Sequence, residues 1–323
     1  MNTVLSSISS KIGAFVHPLI RATRAAQWKQ KYKDFLVVFN WHQVAPDFDP
    51  FRHHRYTWTS FDKFVREVEF LTSEYKIVPL HDAIARLKAG SLKGRCAALT
   101  FDDGDISIAE HVAPFLTRRG LPATFFINTA YLDRQQSYWF PIISFLRACQ
   151  DTEGRSIIPC ELEEKALKLR LTDDPRFYNE VRSRIEEFGS FVPDLDSRLI
   201  PKQWLARLDG DQFSIGAHGH EHQRFSLMTK DWQKNDLSNN VKTLREFRGY
   251  RPIFAVPFGR AHDWTDETIR IAREQGLDIV LADGGINLGA KALYRRIPSD
   301  NQSLRLLLLE AMAVRRTGAL ANR

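Results

Sequence analysis

Short apolar runs alternate with helical stripes along most of this chain, and that alternation restricts the fold more than any other feature. Phe35-Leu36-Val37-Val38-Phe39 reads as a strand, and Phe61 to Leu71 as a helix capped by Thr59 or Ser60. Lys76-Ile77-Val78-Pro79 follows, then a helix from His81 to Lys88 and a strand ending at Phe101. A helix from Ile106 to Arg119 stops at Gly120, and Ala123-Thr124-Phe125-Phe126-Ile127 is the next strand. Later strands are Phe213-Ser214-Ile215, Ile253 to Val256 and Asp278 to Leu281, with helices near 229–247 and 265–275. Strands separated by helices form parallel sheets. About seven such repeats in 323 residues favour a closed or incomplete barrel over an open doubly wound sheet. Neither G-x-G-x-x-G nor G-x-x-x-x-G-K-[ST] occurs, which removes the main sequence signals for a nucleotide site.

Residues 131–212 break the rhythm. They are helical in flavour, with charged stretches from Glu161 to Lys168 and from Asn179 to Glu187, and read as a helical insertion over the active face. The barrel is therefore assigned to 35–300, with a separate segment at 1–34 and a C-terminal helix or tail at 301–323.

Charge is concentrated in the leading segment. Lys11, Arg21, Arg24, Lys29, Lys31 and Lys33 stand in residues 1–33 without a single acid, and account for six of the seven net positive charges. The remainder is nearly neutral, so the body is not a nucleic-acid binder by charge. Leu5, Ile8, Ile12, Phe15, Val16 and Leu19 form a helical stripe in the same segment. Lys11 interrupts it, no small-residue cleavage site follows, and the stripe is too short to span a bilayer. Two uses fit it: docking onto the fold, or lying on an anionic membrane surface. Cys96, Cys149 and Cys160 have neither disulfide nor C-x-x-C spacing, so free thiols in a reducing compartment are expected. The expected location is cytoplasmic, with peripheral contact at the inner face of the membrane.

Two stretches carry chemistry. Thr100-Phe101-Asp102-Asp103-Gly104 places adjacent carboxylates at a strand end, where Gly104 permits a turn that lets both face one site. One can bind a cation while the other accepts a proton from water; the plainer alternative is a helix N-cap beside an exposed acid. His218-Gly219-His220-Glu221-His222 sets imidazoles four residues apart. A His218/His222 pair on one turn can hold a metal, and a three-histidine strand site is the other arrangement. Gly216 and Gly219 speak against a long strand and favour the pair. Both stretches fall at predicted strand ends, the rim where parallel barrels gather catalytic groups.

These stretches, with Ile215-Gly216-Ala217 before the histidines and Phe254-Ala255-Val256-Pro257-Phe258-Gly259 after them, resemble in content and order the first three motifs of the polysaccharide deacetylase family (NodB homology, carbohydrate esterase family 4). The likeness spans about 35–300. It implies a distorted (β/α)7 barrel and metal-dependent removal of an acyl group from an N-acylated sugar. It further implies Asp103, His218 and His222 as metal ligands, Asp102 as catalytic base, and Pro257 and Phe258 as the segment whose backbone N–H steadies the developing oxyanion. Two histidines and a carboxylate suit a divalent metal, zinc first, although other first-row ions tolerate the set.

Two positions depart from the pattern. The third motif commonly begins with an arginine, where this chain has Ala255; Arg295 or Arg296 can supply the guanidinium, and Arg296 is favoured. No histidine follows His262 to protonate the leaving amine. His42, in Phe39-Asn40-Trp41-His42-Gln43-Val44, resembles the early histidine of family branches with circularly permuted motifs and is assigned that task. The expected function is removal of N-acetyl groups from amino sugars in a polysaccharide or glycolipid of the cell surface. A deformylase of a lipid-linked amino sugar and a weakly catalytic glycan-binding module are the alternatives.

Overall fold

The computed structural model describes residues 33–49, 53, 57–132, 199–282, 284–291 and 293–296. The basic N-terminal segment, most of the predicted insertion and the C-terminal tail lie outside the described residues.

In chain order the strands are β1 (Phe35–Trp41), β2 (Gln43–Ala45), β3 (Trp58–Ser60), β4 (Lys76–Ile77), β5 (Arg95–Phe101), β6 (Ala123–Ile127), β7 (Phe213–Ala217), β8 (Tyr250–Ala255), β9 (Asp278–Leu281), β10 (Ile286–Asn287) and β11 (Leu293–Arg296). The helices are α1 (Phe61–Glu74), α2 (Leu80–Lys88), α3 (Ala113–Arg118), α4 (Lys202–Leu205), α5 (Lys230–Leu244) and α6 (Asp266–Glu274), with a π-helical turn at Ile108–Val112 leading into α3. Ser60 caps α1 by accepting from the Lys63 amide, and Thr265 caps α6 reciprocally with Thr268.

Seven strands close a parallel ring. β1 pairs with β5, then β6, β7, β8 and β9 follow in order, and β11 joins β9 back to β1. β4 adds to β5, and β10 lies antiparallel on β1. This is the (β/α)7-like barrel expected from the β/α rhythm.

Every residue of β1, β6 and β7 is buried, which is why these segments read as continuous apolar runs rather than alternating ones. Alternation sorts them by face instead. Val37, Phe39, Trp41, Leu99, Phe125, Ile215 and Phe254 pack outward against Phe64 and Val68 of α1, Leu116 of α3, Leu237 of α5 and Ile269 of α6. Leu36, Val38, Ala98, Phe126, Ala255, Val280 and Leu293 share a second cluster inside the ring, joined at one end by Leu80, Ala83 and Ile84 of α2.

Following the inward positions towards the strands' carboxyl ends changes the chemistry. Asn40 comes after Val38, Thr100 and Asp102 after Ala98, His218 after Gly216, and Arg295 after Leu293. The barrel interior is thus apolar at the α2 end and polar at the other. The chain leaves the described part at Leu132, just past β6, and returns at Leu199, which bridges to Asp105. No helix among the described residues is long and apolar enough to cross a membrane.

Space inside the ring is shared between large and small side chains. Gly216 sits opposite Phe126 in the β6–β7 register, and a Cβ on it would lie 2.5 Å from the Phe126 ring and 3.0 Å from the Ile253 carbonyl. Both Phe126 and Ile253 are buried and have little room to yield. Gly216→Ala is expected to lower unfolding free energy by about 1–3 kcal/mol through overpacking. A denaturant midpoint equal to that of the parent chain would refute this packing account.

Candidate active site

Among the described residues, only Asp103, His222 and Phe258 are non-glycines with left-handed backbone, at φ of 73°, 56° and 59°. All three stand at the polar mouth of the barrel. Such conformations are sterically disfavoured and persist where the surroundings impose them, commonly at functional sites. At Asp103 the turn ends β5 and lets consecutive carboxylates face one site, as the Asp-Asp-Gly stretch suggested. At His222 it swings the second imidazole back towards the first.

Asp102 is buried, and three side chains converge on it. Arg295 Nη1 donates to Oδ1 at 2.5 Å, Asn40 Nδ2 donates to Oδ2 at 3.1 Å, and His218 Nε2 lies 3.4 Å from Oδ2. Burial alone would raise the carboxyl pKa, but the Arg295 guanidinium, with His218 and His42, outweighs it and holds Asp102 below the ordinary carboxylate range. The guanidinium favoured from sequence was that of Arg296; the one on Asp102 belongs to Arg295. The reason is the two-residue period of β11, on which Arg295 shares the inward face of Leu293. Ala255, the residue in place of the motif arginine, contributes its backbone: its carbonyl accepts from His218 Nδ1 at 2.7 Å.

Asp103 Oδ1 lies 3.4 Å from His218 Nε2 and 3.3 Å from His222 Nε2, and one ligand atom from each residue falls within 4.8 Å of the others. All three residues are buried. With its Nδ1 proton on Ala255, His218 in its neutral form turns the Nε2 lone pair to the site, the tautomer a metal ligand needs. Neither that Nε2 nor Asp103 Oδ1 makes a hydrogen bond, although both are buried. Converging acceptor atoms left unsatisfied in this way, from two imidazoles and a carboxylate, fit a divalent cation. The charge balance agrees. Burial opposes the Asp103 carboxylate, but His222 and His218 hold its pKa far below normal. Burial also pushes His222 down to about 4, helped by His218, so it is neutral near pH 7. Burial would lower His218 too, but Asp102 and Asp103 outweigh it and raise its pKa above the ordinary imidazole range.

His42 sits in the one-residue gap between β1 and β2, with Nε2 3.6 Å from Asp102 Oδ2. It therefore stands on the same rim as the carboxylates. Pro257 and Phe258 continue β8 into a tight turn: Gly259 N donates to the Pro257 carbonyl at 2.6 Å, and a Cβ on Gly259 would come within 2.8 Å of the Ala282 amide. The Phe258 ring meets His222 edge-on at 4.9 Å between centroids, which places the third motif beside the Asp103–His218–His222 group. His220 is turned away, its Nδ1 2.9 Å from Thr129 Oγ1, so the i, i+4 pair rather than a three-histidine strand faces the site.

Two further polar residues were not singled out from the sequence. Asn40 is buried between Asp102 and Thr100, whose hydroxyl is 2.9 Å from Asn40 Oδ1. Its signal was available: it is the lone polar residue in the otherwise apolar Phe35–Trp41 run. Asn240 of α5 accepts from the His218 amide at 3.1 Å and donates to the Ile127 carbonyl and Thr129 Oγ1. Nothing in a polar helical stretch marks Asn240 as buried until α5 is packed on the barrel.

Comparison with known proteins follows the same lines. Residues 89–280 match the family model described as polysaccharide deacetylase. Compared by sequence alone, no curated protein matches the chain. Among solved structures, Streptococcus pyogenes deacetylase PplD, determined in complex with acetate, superposes with a TM-score of 0.59 at 16% identity, covering 87% of this chain and 100% of that one. A de-N-acetylase from Aggregatibacter actinomycetemcomitans gives 0.59 at 15% identity, covering 85% and 98%. IcaB from Ammonifex degensii gives 0.53 at 19%, covering 87% and 98%. At such identities the likeness establishes the fold.

The raised His218 pKa sets a pH signature for cation uptake. His218, raised above the usual imidazole range by Asp102 and Asp103, keeps its proton to higher pH than His222, which burial holds at about 4. A cation must displace the His218 Nε2 proton, so affinity should rise with pH through the His218 pKa. Calorimetry on the acid side of neutrality in buffers of unlike protonation heat should show proton release on cation uptake, falling away as the pH rises. Uptake without proton release would contradict the assignment.

Proposed function

Because the chain belongs to the polysaccharide deacetylase family, it is a hydrolase of non-peptide carbon–nitrogen bonds, and we propose that it removes the N-acetyl group from an amino sugar within a polysaccharide or glycolipid of the cell surface. The observation that carries this reading is the setting of Asp102: a buried carboxylate, kept ionised by Arg295 and oriented by Asn40, next to a cation-competent Asp-His-His set and to His42.

The proposed roles follow from position. A divalent cation, with zinc the first choice, held by Asp103, His218 and His222 would supply Lewis-acid polarisation of a water and of the substrate carbonyl. Asp102 takes a proton from that water as its oxygen adds to the amide carbon. Arg295 keeps the carboxyl charged until the proton arrives, and Asn40 fixes which oxygen is presented. The backbone N–H of Phe258 is assigned to the developing oxyanion, where one such donor is typically worth about 3–4 kcal/mol. His42 gives its proton to the departing nitrogen as the carbon–nitrogen bond breaks, leaving acetate and a free amine on the sugar. Splitting base and acid between two groups on opposite sides of the charge balance is the usual way one site runs both proton transfers.

A cavity of about 230 Å³ flanks the rim beside β2, lined by Asp47, Asp49, Asp105 and Glu110 together with His53 and His111. Phe48, 38% exposed, stands between two of these carboxylates and packs on Trp58 at 5.3 Å between centroids. A cavity lined by carboxylate acceptors suits hydroxyl-rich ligands, which supports a glycan over a small apolar amide.

Acetate release from N-acetylglucosamine oligomers, measured with added zinc and after chelation, is the direct test. Activity should require the cation, and Asp102→Asn should lower kcat about 10²–10⁴-fold, the usual worth of a general base. Asp102→Asn turning over at the parent rate, or hydrolysis untouched by chelation, would overturn the assignment. Release of formate from N-formyl sugars in place of acetate would keep the roles and correct the acyl group.

A further inference from the structure

The metal-ligand pair sits on a loop that has to reverse between His218 and His222, and loops of that kind are mobile unless their backbone groups are held. Here the loop is held from two sides. Its carbonyls face the segment after β6: the His218 carbonyl accepts from Asn128 Nδ2 at 2.6 Å, and the His220 carbonyl accepts from the Ala130 amide at 2.9 Å. Its amides face α5. The His218 amide reaches Asn240, and one helical turn earlier Asp236 takes two further amides of the turn. The His220 N–H donates to Asp236 Oδ2 at 2.8 Å, and the Glu221 N–H donates to Oδ1 at 2.9 Å. These are the two residues directly before His222.

Asp236 is buried, on a helix whose inward face carries Gln233, Asp236 and Asn240 where a barrel helix ordinarily presents apolar side chains. A carboxylate in that position needs donors, and the loop amides are the donors it meets. Gly219 is part of the same fit. Its φ is 77°, and a Cβ there would stand 3.0 Å from Asp236 Oδ2, so the glycine both permits the reversal and clears space for the carboxylate.

We infer that Asp236 is a positioning residue for the metal site: by taking the His220 and Glu221 amides it fixes the left-handed His222 so that its Nε2 faces Asp103. The inference rests on the proposed metal reading. Asp236 acts on His222 through two backbone N–H groups and one residue of chain. Groups that orient metal ligands in this way typically contribute about 10–100-fold in affinity.

The test uses the full chain stripped of metal, titrated with Zn²⁺ against a chromophoric chelator and with Co²⁺ while its visible absorption is recorded. Asp236→Ala should raise the zinc Kd about 10–100-fold and change the Co²⁺ spectrum. Asp236→Asn retains one acceptor for the two amides and should fall between that variant and the parent. Leu237→Ala, at a neighbouring buried core position on the same helix, serves as the control for stability: it should lower the unfolding midpoint yet leave Kd and spectrum unchanged. Parental Kd and spectrum in both Asp236 variants would overturn the inference, as would Leu237→Ala weakening the cation as much as Asp236→Ala does. A parent chain that binds no cation would instead sink the metal reading, and the inference with it.

Discussion

Two adjacent carboxylates buried at the mouth of a barrel are the constraint around which the rest of this structure is arranged. Either one, left ionised and unpaired, would cost several kcal/mol. The two lie side by side on the chain and would repel each other as well. The compensation is divided. Asp102 has Arg295 and Asn40; Asp103 has His222 and His218. Both end below the ordinary carboxylate pKa despite burial, so both remain charged at neutral pH. That is the state needed by a base and by a cation ligand.

The division depends on ring closure. Arg295 is 193 residues from Asp102 in sequence and reaches it only because β11 returns to pair with β1 while β1 also pairs with β5. A sheet left open between those strands would strand the guanidinium away from its carboxylate. The polar mouth and the closed barrel are therefore one energetic unit, with Asp102 held by the last strand and the His218–His222 loop held by α5. Left-handed backbone at Asp103, His222 and Phe258 is tolerated because these neighbours over-determine it.

The β/α rhythm was legible because the strands are buried on both faces and the helices on one, which separates their hydrophobic periods. Phe35–Trp41, Ala123–Ile127 and Asp278–Leu281 could be read almost to the residue. β2, β3 and β10 could not, since two or three residues carry no period. The convergence of Asp103, His218 and His222 could be expected from residue chemistry at a strand end, and the structure brings the three together. The choice of Arg296 over Arg295 failed on phase: a four-residue strand following a loop gives no apolar repeat from which to count inward positions, and Leu293 shows the inward face only once it is packed against Val280. Asn40, Asn240 and Asp236 act across elements far apart in sequence, so their roles exist only after the barrel has closed. Gly219 appeared as a break in a strand and proves to be a matched space for Asp236.

X-ray absorption at the zinc edge of the loaded protein tests the central claim most directly, because it reports ligand type and distance without relying on turnover. The account predicts two imidazole nitrogens at about 2.0–2.1 Å and carboxylate oxygen at about 2.0–2.2 Å, with one imidazole lost in His222→Ala and the oxygen shell altered in Asp103→Ala. A first shell without imidazole, or one unchanged by both substitutions, would place the cation elsewhere and contradict it.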